Sequence, residues 1–198
     1  MKSIIILCGG RSKRMGRDKG SLILKGKPMI LHILDEITDI ADEIIIVLRD
    51  ENQIRDYSEL IKEKSNIKII TDKSKDQGPL IGILTGLSNI KSEHAQILPC
   101  DSPFISKKFV LKMSDIIETS NFDAVVPIDD DGHTEPLHSI YKKNAINIIN
   151  ELVNEEKRDV NSLIKRLNAK FINVKELDKS KMSFRNINTK KEINYLKQ

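Results

Sequence analysis

Lys2-Ser3-Ile4-Ile5-Ile6-Leu7-Cys8 runs directly into Gly9-Gly10 and then a basic loop, Arg11-Ser12-Lys13-Arg14-Met15-Gly16-Arg17-Asp18-Lys19-Gly20. The apolar run is continuous rather than alternating, which is the pattern of a strand buried on both faces. Comparable runs recur at Glu43 to Leu48, Ile67 to Thr71, Ala95 to Pro99 and Asp123 to Val126. Between them, Pro28 to Asp39, Glu51 to Lys64, Pro79 to Lys91 and Ser106 to Thr119 carry helical periodicity. This alternation predicts an α/β fold: a three-layer, doubly wound, Rossmann-like and mostly parallel sheet in the strand order 3-2-1-4-5, with ligands beyond the carboxyl ends of the strands. Downstream, Pro136 to Tyr141 reads as one strand antiparallel to its neighbours, followed by helices at Lys142 to Asn154 and Val160 to Leu167. Strands at Lys170 to Val174 and Phe184 to Ile187 and a terminal helix from Thr189 complete the expectation.

The 198 residues predict a single domain over 1–198. Lys plus Arg number 33 against 29 Asp plus Glu, a net charge of +4 that is too small for a nucleic-acid coat. Aromatics make up 4% with no Trp, so the core is aliphatic and few rings remain for stacking bases. No stretch approaches the roughly 20 apolar residues of a membrane span. Cys8 and Cys100 have no metal-ligand spacing. They end strands expected to be neighbours, and are expected to lie close together as free thiols in a cytoplasmic protein.

The loop after the first run combines free backbone N–H groups with positive charge, the two things a polyphosphate needs from a protein. It is neither a P-loop nor G-x-G-x-x-G, because Gly16 is followed by Arg17-Asp18-Lys19. On these residues alone it reads either as a phosphate cradle or as a hydrated basic loop that could touch RNA. Pro99-Cys100-Asp101-Ser102-Pro103 fixes one carboxylate at a strand end, suited to Mg²⁺ beside substrate phosphates. The competing role for Asp101 is to cap the helix that follows. Gly78, Gly82 and Gly86 bare one helix face; close packing on the sheet explains Gly86 best, while Gly78 and Pro79 could meet a base or ribose. Thr189 and Glu192 have capping-box spacing.

Leu7-Cys8-Gly9-Gly10-Arg11-Ser12-Lys13-Arg14-Met15-Gly16-Arg17-Asp18-Lys19, continuing through Leu22, Leu24, Gly26, Lys27 and Pro28, resembles the signature of the molybdenum cofactor guanylyltransferase (MobA) family of the nucleotidyltransferase superfamily. Cys8 stands where that family usually has Ala. Pro99 to Phe104, Gly78 to Gly82 and Phe184 to Ile193 resemble three further family motifs, with Lys190 in place of the usual Pro. The resemblance implies transfer of GMP from GTP to the terminal phosphate of molybdopterin, with release of pyrophosphate and Mg²⁺ as cofactor. It implies catalytic roles for Arg14, Lys19 and Asp101, with Asp101 as the metal ligand. GTP would meet Leu7, Cys8, Gly9, Gly10, Lys19, Asp72, Gly78, Pro79 and Asp101, while Asn186 and Asn188 would face the acceptor or a second metal. GTP and molybdopterin are the implied partners, with transient contact with molybdenum insertion proteins and neither nucleic acid nor membrane. Close alternatives are a sister enzyme using CTP or another phosphorylated small molecule, and a nucleotide sensor without turnover. His32, His94 and His138 are expected to be structural or surface residues, and His133 lies in a segment resembling the acceptor side of the family.

Overall fold

The computed structural model describes residues 1–8, 19–61, 65–72, 78–189 and 192–193. Its centre is β1 (Ser3–Cys8), in which every residue is buried. β1 is flanked by parallel β4 (Glu43–Leu48) and β6 (His94–Pro99), with Ile5 opposite Ile45 on one side and Ile97 on the other. A strand enclosed above, below and on both edges has no polar face, which is why its sequence does not alternate. Outward from β4 lies β5 (Ile67–Thr71), also parallel.

Beyond β6 the order departs from 3-2-1-4-5. Three short residues of β8 (Ile140–Lys142) lie antiparallel between β6 and β7 (Ala124–Ile128), and β9 (Ala169–Asn173) closes that edge. The sheet therefore reads β5-β4-β1-β6-β8-β7-β9. The expected antiparallel strand is present but shorter than Pro136 to Tyr141, because Pro136–His138 forms a 3-10 turn. The Tyr141 hydroxyl donates to the Pro136 carbonyl at 2.9 Å and holds that turn against the sheet. Burial raises the pKa of this phenol far above its ordinary value. The expected strand at Phe184 to Ile187 is likewise absent. Met182–Phe184 is a 3-10 turn, and among the described residues after it Ile187 N bonds to Asp101 O of the main body at 2.8 Å. An unforeseen hairpin, β2 (Ile23–Leu24) with β3 (Lys27–Pro28), precedes the first helix.

Two apolar layers follow from the period of two along each strand. Ile4, Ile6 and Cys8 of β1 pack with α1 (Met29–Ile37), α2 (Asn52–Leu60), α4 (Lys107–Glu118) and α7 (Val174–Leu177). Ile5 and Leu7 pack with α3 (Pro79–Leu87), α5 (Ala145–Asn154) and α6 (Val160–Ile164) on the opposite face. The Ser106 side chain caps α4 by accepting from Phe109 N at 3.2 Å, so the capping role weighed for Asp101 falls to Ser106 instead. A small third cluster of Leu24, Met29, Ile187 and Ile193 ties the hairpin to the C-terminal segment.

Candidate active site

The carboxyl ends of β1 and β6 are adjacent, with Cys100 N donating to Leu7 O at 3.1 Å. Chain connections leave this point toward opposite edges of the sheet, which opens a crevice at the strand tips. Cys8 and Cys100 flank it, both buried and neither in a disulfide. Just past β6, Asp101 is held by turn geometry and by the bond from Ile187 N to its carbonyl.

Lys19 reaches this carboxylate. Its Nζ lies 2.6 Å from Asp101 Oδ2 and donates to Asn188 Oδ1 at 2.7 Å, with the two charged side chains only 21% and 16% exposed. The backbone around Lys19 is fixed by bonds from Leu22 N to Lys19 O and from Ile30 N to Gly20 O. Asn188 is fixed by the expected capping box: Glu192 Oε2 accepts from Asn188 N and Thr189 N, while Glu192 N donates to Thr189 Oγ1 at 3.2 Å. The capping box leaves the Asn188 side chain to point at the ammonium. Two side-chain oxygens, one from mid-chain and one from near the C-terminus, thus converge on the ammonium of Lys19. A donor set of carboxylate and amide oxygens suits a hard divalent ion.

On the other side of Asp101 lies a cleft of about 620 Å³. It is lined by Pro79, Pro99, Asp101 and Asn186 together with Glu135, Pro136, Leu137, His138, Arg158, Asp159, Val160 and Asn161. Gly78, at φ +84°, precedes α3, and a Cβ there would lie 3.3 Å from the Arg158 carbonyl. Asp159 caps α6, accepting from Ser162 N at 2.8 Å, and its hydrogen bonds from the Ser162 hydroxyl and amide hold its carboxyl below the usual carboxylate range. Ser102, wholly buried, joins His138 Nε2 at 3.0 Å and donates to Asn186 Oδ1.

The structure therefore gathers Leu7, Cys8, Lys19, Asp101, Asn186, Asn188 and Pro79 around one crevice. Asp72 ends β5, two strands from β1, where its amide donates to Leu48 O at 2.8 Å. Arg14, Gly9 and Gly10 lie outside the described residues. The cleft residues Glu135, Arg158, Asp159 and Asn161 were not singled out in the sequence, and His138 was taken only as structural or surface. It is buried, at 1% exposure, in the wall of the cleft. Its place beside the Pro136-Leu137 turn was the available signal. His133 is exposed, and with Asp129 and Asp131 it offers oxygen and nitrogen atoms within 4.8 Å of one another. Those groups are largely occupied in closing their own turn, Asp129 Oδ1 accepting from Asp131 N and His133 N. Among the described residues, no helix is long and apolar enough to cross a membrane.

Comparison with known proteins agrees with this geometry. Residues 4–171 match the family model described as the MobA-like NTP transferase domain. A protein of Methanothermobacter thermautotrophicus named "Probable molybdenum cofactor guanylyltransferase" is 35% identical over 195 residues, covering 98% of each chain. One of Methanocaldococcus jannaschii with the same name is 32% identical over 193 residues, covering 96% of this chain and 95% of its own. The crystal structure of molybdopterin-guanine dinucleotide biosynthesis protein A from Archaeoglobus fulgidus superposes with a TM-score of 0.83 at 25% identity, covering 98% of this chain and 96% of the other. With motifs, topology and full-length similarity in agreement, the chain belongs to the MobA-like NTP transferase family.

Proposed function

We propose that this protein is a molybdenum cofactor guanylyltransferase acting as a single domain over 1–198. It transfers GMP from GTP to the terminal phosphate of molybdopterin and releases pyrophosphate. The observation that carries this reading is the Lys19 ammonium gripped by Asp101 and Asn188 at the tips of β1 and β6, next to a cleft able to hold a second substrate. Relatives that bear this name align over nearly the whole chain.

In the reaction, an oxygen of the molybdopterin phosphate forms a bond to the α-phosphorus of GTP. The bond from that phosphorus to the bridging oxygen breaks, and pyrophosphate leaves with the electron pair. The nucleophile is already an anion, so no general base is needed. Catalysis rests on positioning and on charge placed where it develops. Leu7, Cys8, Gly9 and Gly10 bring main chain against the nucleotide, with Asp72, Gly78 and Pro79 along its base and ribose. Lys19 and Arg14 offset charge on the transferring and leaving phosphates. Asp101 and Asn188 are the residues that would hold Mg²⁺, and the bound ion would supply further neutralisation of the α-phosphate. Asn186 faces the acceptor side, where an amide is suited to phosphate oxygens, and Arg158 lines the same cleft with its Nη1 donating to the Val153 and Lys157 carbonyls. The enzyme works in the cytoplasm, with transient contact with molybdenum insertion proteins.

The test is incubation with Mg²⁺, molybdopterin and each of the four nucleoside triphosphates in turn, following pyrophosphate. Release with GTP alone is expected, and chelation of the divalent ion should stop it. Release with CTP alone would reassign the base, and release with none would overturn the reading. Asp101→Ala should abolish the Mg²⁺-dependent release.

A further inference from the structure

Asn186 and Asn188 are two residues apart, yet the structure turns their carboxamides in opposite senses. Asn188 offers its oxygen, Oδ1, to the Lys19 ammonium. Asn186 has its own Oδ1 occupied, accepting the hydroxyl proton of Ser102. A serine hydroxyl has one proton, so with that proton committed to Asn186, Ser102 Oγ can only accept from its other neighbour, His138 Nε2 at 3.0 Å. The network thus assigns the ring proton to Nε2.

The imidazole has little freedom to do otherwise. His138 is 1% exposed, its ring stands edge-on to Phe184 at 5.3 Å between centroids, and its backbone carbonyl accepts from Gln96 Nε2 at 2.9 Å. Its other nitrogen, Nδ1, makes no hydrogen bond, although Glu135 Oε2 lies 3.3 Å away on the cleft wall. Every donor in the chain therefore points one way, from His138 to Ser102 to Asn186. What Asn186 has left to offer the cleft is its NH₂, a donor of two hydrogen bonds.

We propose that His138 is a positioning residue that acts through Ser102 to hold the Asn186 carboxamide with its NH₂ toward the cleft, so that Asn186 donates to the anionic phosphate of the acceptor rather than ligating metal. This assigns the two asparagines separate tasks. Asn188, with its oxygen outward, serves the cation side of Asp101; Asn186, with its nitrogen outward, serves the anion side. The assignment rests on the acceptor-phosphate reading given above.

The test compares wild type with His138→Phe, which keeps an aromatic ring against Phe184 but has no donor, and with His138→Gln, whose side-chain amide can restore a donor toward Ser102. His138→Phe should raise the KM for molybdopterin roughly tenfold, the scale of one misdirected buried hydrogen bond, with kcat changed much less. GTP affinity measured by calorimetry should stay within about twofold, and His138→Gln should recover most of the KM. An unchanged KM, or a fall in GTP affinity in step with it, would overturn the proposal. Should His138→Phe fail to fold, Ser102→Ala breaks the same chain and is judged by the same KM and GTP criteria. A second measurement needs no substrate: the thermal midpoints of Ser102→Ala, Asn186→Ala and the double variant. The double variant should fall short of the summed losses by about 2 °C or more, since the residues share one network. Strict additivity overturns the chain itself. If wild type releases no pyrophosphate with molybdopterin and any nucleotide, the proposed function fails, while the thermal cycle still decides whether Ser102 and Asn186 are linked.

Discussion

Gly78, Gly82 and Gly86 recur four apart, the first just before α3 and the other two within it, and alanine at each should fail or succeed for a different reason. At Gly86 a Cβ would sit 2.6 Å from Ile5 Cγ2 and 2.9 Å from Ile5 Cδ1. Ordinary contact begins near 3.4 Å, so α3 and β1 must separate by almost 1 Å, and Ile5 is a wholly buried, β-branched side chain in the central strand. Overpacking of this kind costs about 1–3 kcal/mol, against which alanine gains about 1 kcal/mol of helix propensity. The net loss is about 0–2 kcal/mol, or up to roughly 8 °C in a chain of this size. At Gly82 the nearest atom is a terminal methyl, Leu7 Cδ2 at 3.2 Å, which can swing aside, and the two terms should nearly cancel. Gly78 stands outside the helix at φ +84° and ψ 177°, a region essentially reserved for glycine, and alanine there costs about 1–3 kcal/mol with no propensity to regain. Its Cβ would also press on the carbonyl of Arg158, a cleft-lining residue, so this variant alone of the three should raise the KM for the acceptor. Differential scanning fluorimetry together with pyrophosphate release gives both readings. The decisive control is Ile5→Ala, which removes all three atoms that Gly86→Ala would meet. In that background Gly86→Ala should become stabilising. If Gly86→Ala already raises the midpoint in wild type, close packing is not why glycine stands there.

Lys19→Ala should lower turnover by roughly 10²–10³-fold, the usual scale for removing one transition-state donor, in steady-state pyrophosphate assays with the fold intact by circular dichroism. Ser106→Ala removes the cap of α4 and should cost about 1 kcal/mol in urea unfolding. Asp159 has its folded-state pKa depressed by the Ser162 hydroxyl and amide, so its contribution is present above the unfolded pKa near 4 and is lost as pH falls through the lower folded value. Asp159→Asn should therefore flatten the acid limb of the stability curve followed by fluorimetry below about pH 4. Ile187→Ala, which empties the small cluster around Leu24 and Met29, should cost about 2 kcal/mol in urea unfolding and raise the acceptor KM.

The strands that could be read in advance were those enclosed on both faces. Continuous runs such as Ile4 to Cys8 and Ile44 to Leu48 leave no polar residue to disguise them. The short elements were illegible for the opposite reason: β2 and β3 have two residues each, a single strand period with no repeat to recognise. Pro136 to Tyr141 and Phe184 to Ile187 looked like strands by composition, but proline geometry at Pro136 and the turn at Met182–Phe184 override β propensity locally. In the site, Lys19 and Asp101 stood out because each ends a dense motif. His138 and Arg158 did not, because each is a single residue in a connection, and its meaning depends on what the fold sets across from it.

The Asn186-Ile187-Asn188 spacing has a physical logic that joins these two kinds of information. Ile187 is buried at 1% exposure against Leu24, Met29 and Ile193, while its amide is tied to the Asp101 carbonyl. That residue fixes the segment in both ways available to it, side chain into an apolar cluster and backbone onto the loop that carries Asp101. In extended chain the neighbours of an inward-facing residue share the other side. Asn186 and Asn188 are thereby delivered together to the two flanks of Asp101, one to Ser102 and one to Lys19. A helix would have set them on different faces, and a sheet ladder would have spent more of their backbone bonds. A lone apolar anchor between two amides, bound at one point, places one donor and one acceptor on either side of a carboxylate, and this is what a site that must hold a cation and an anion side by side requires.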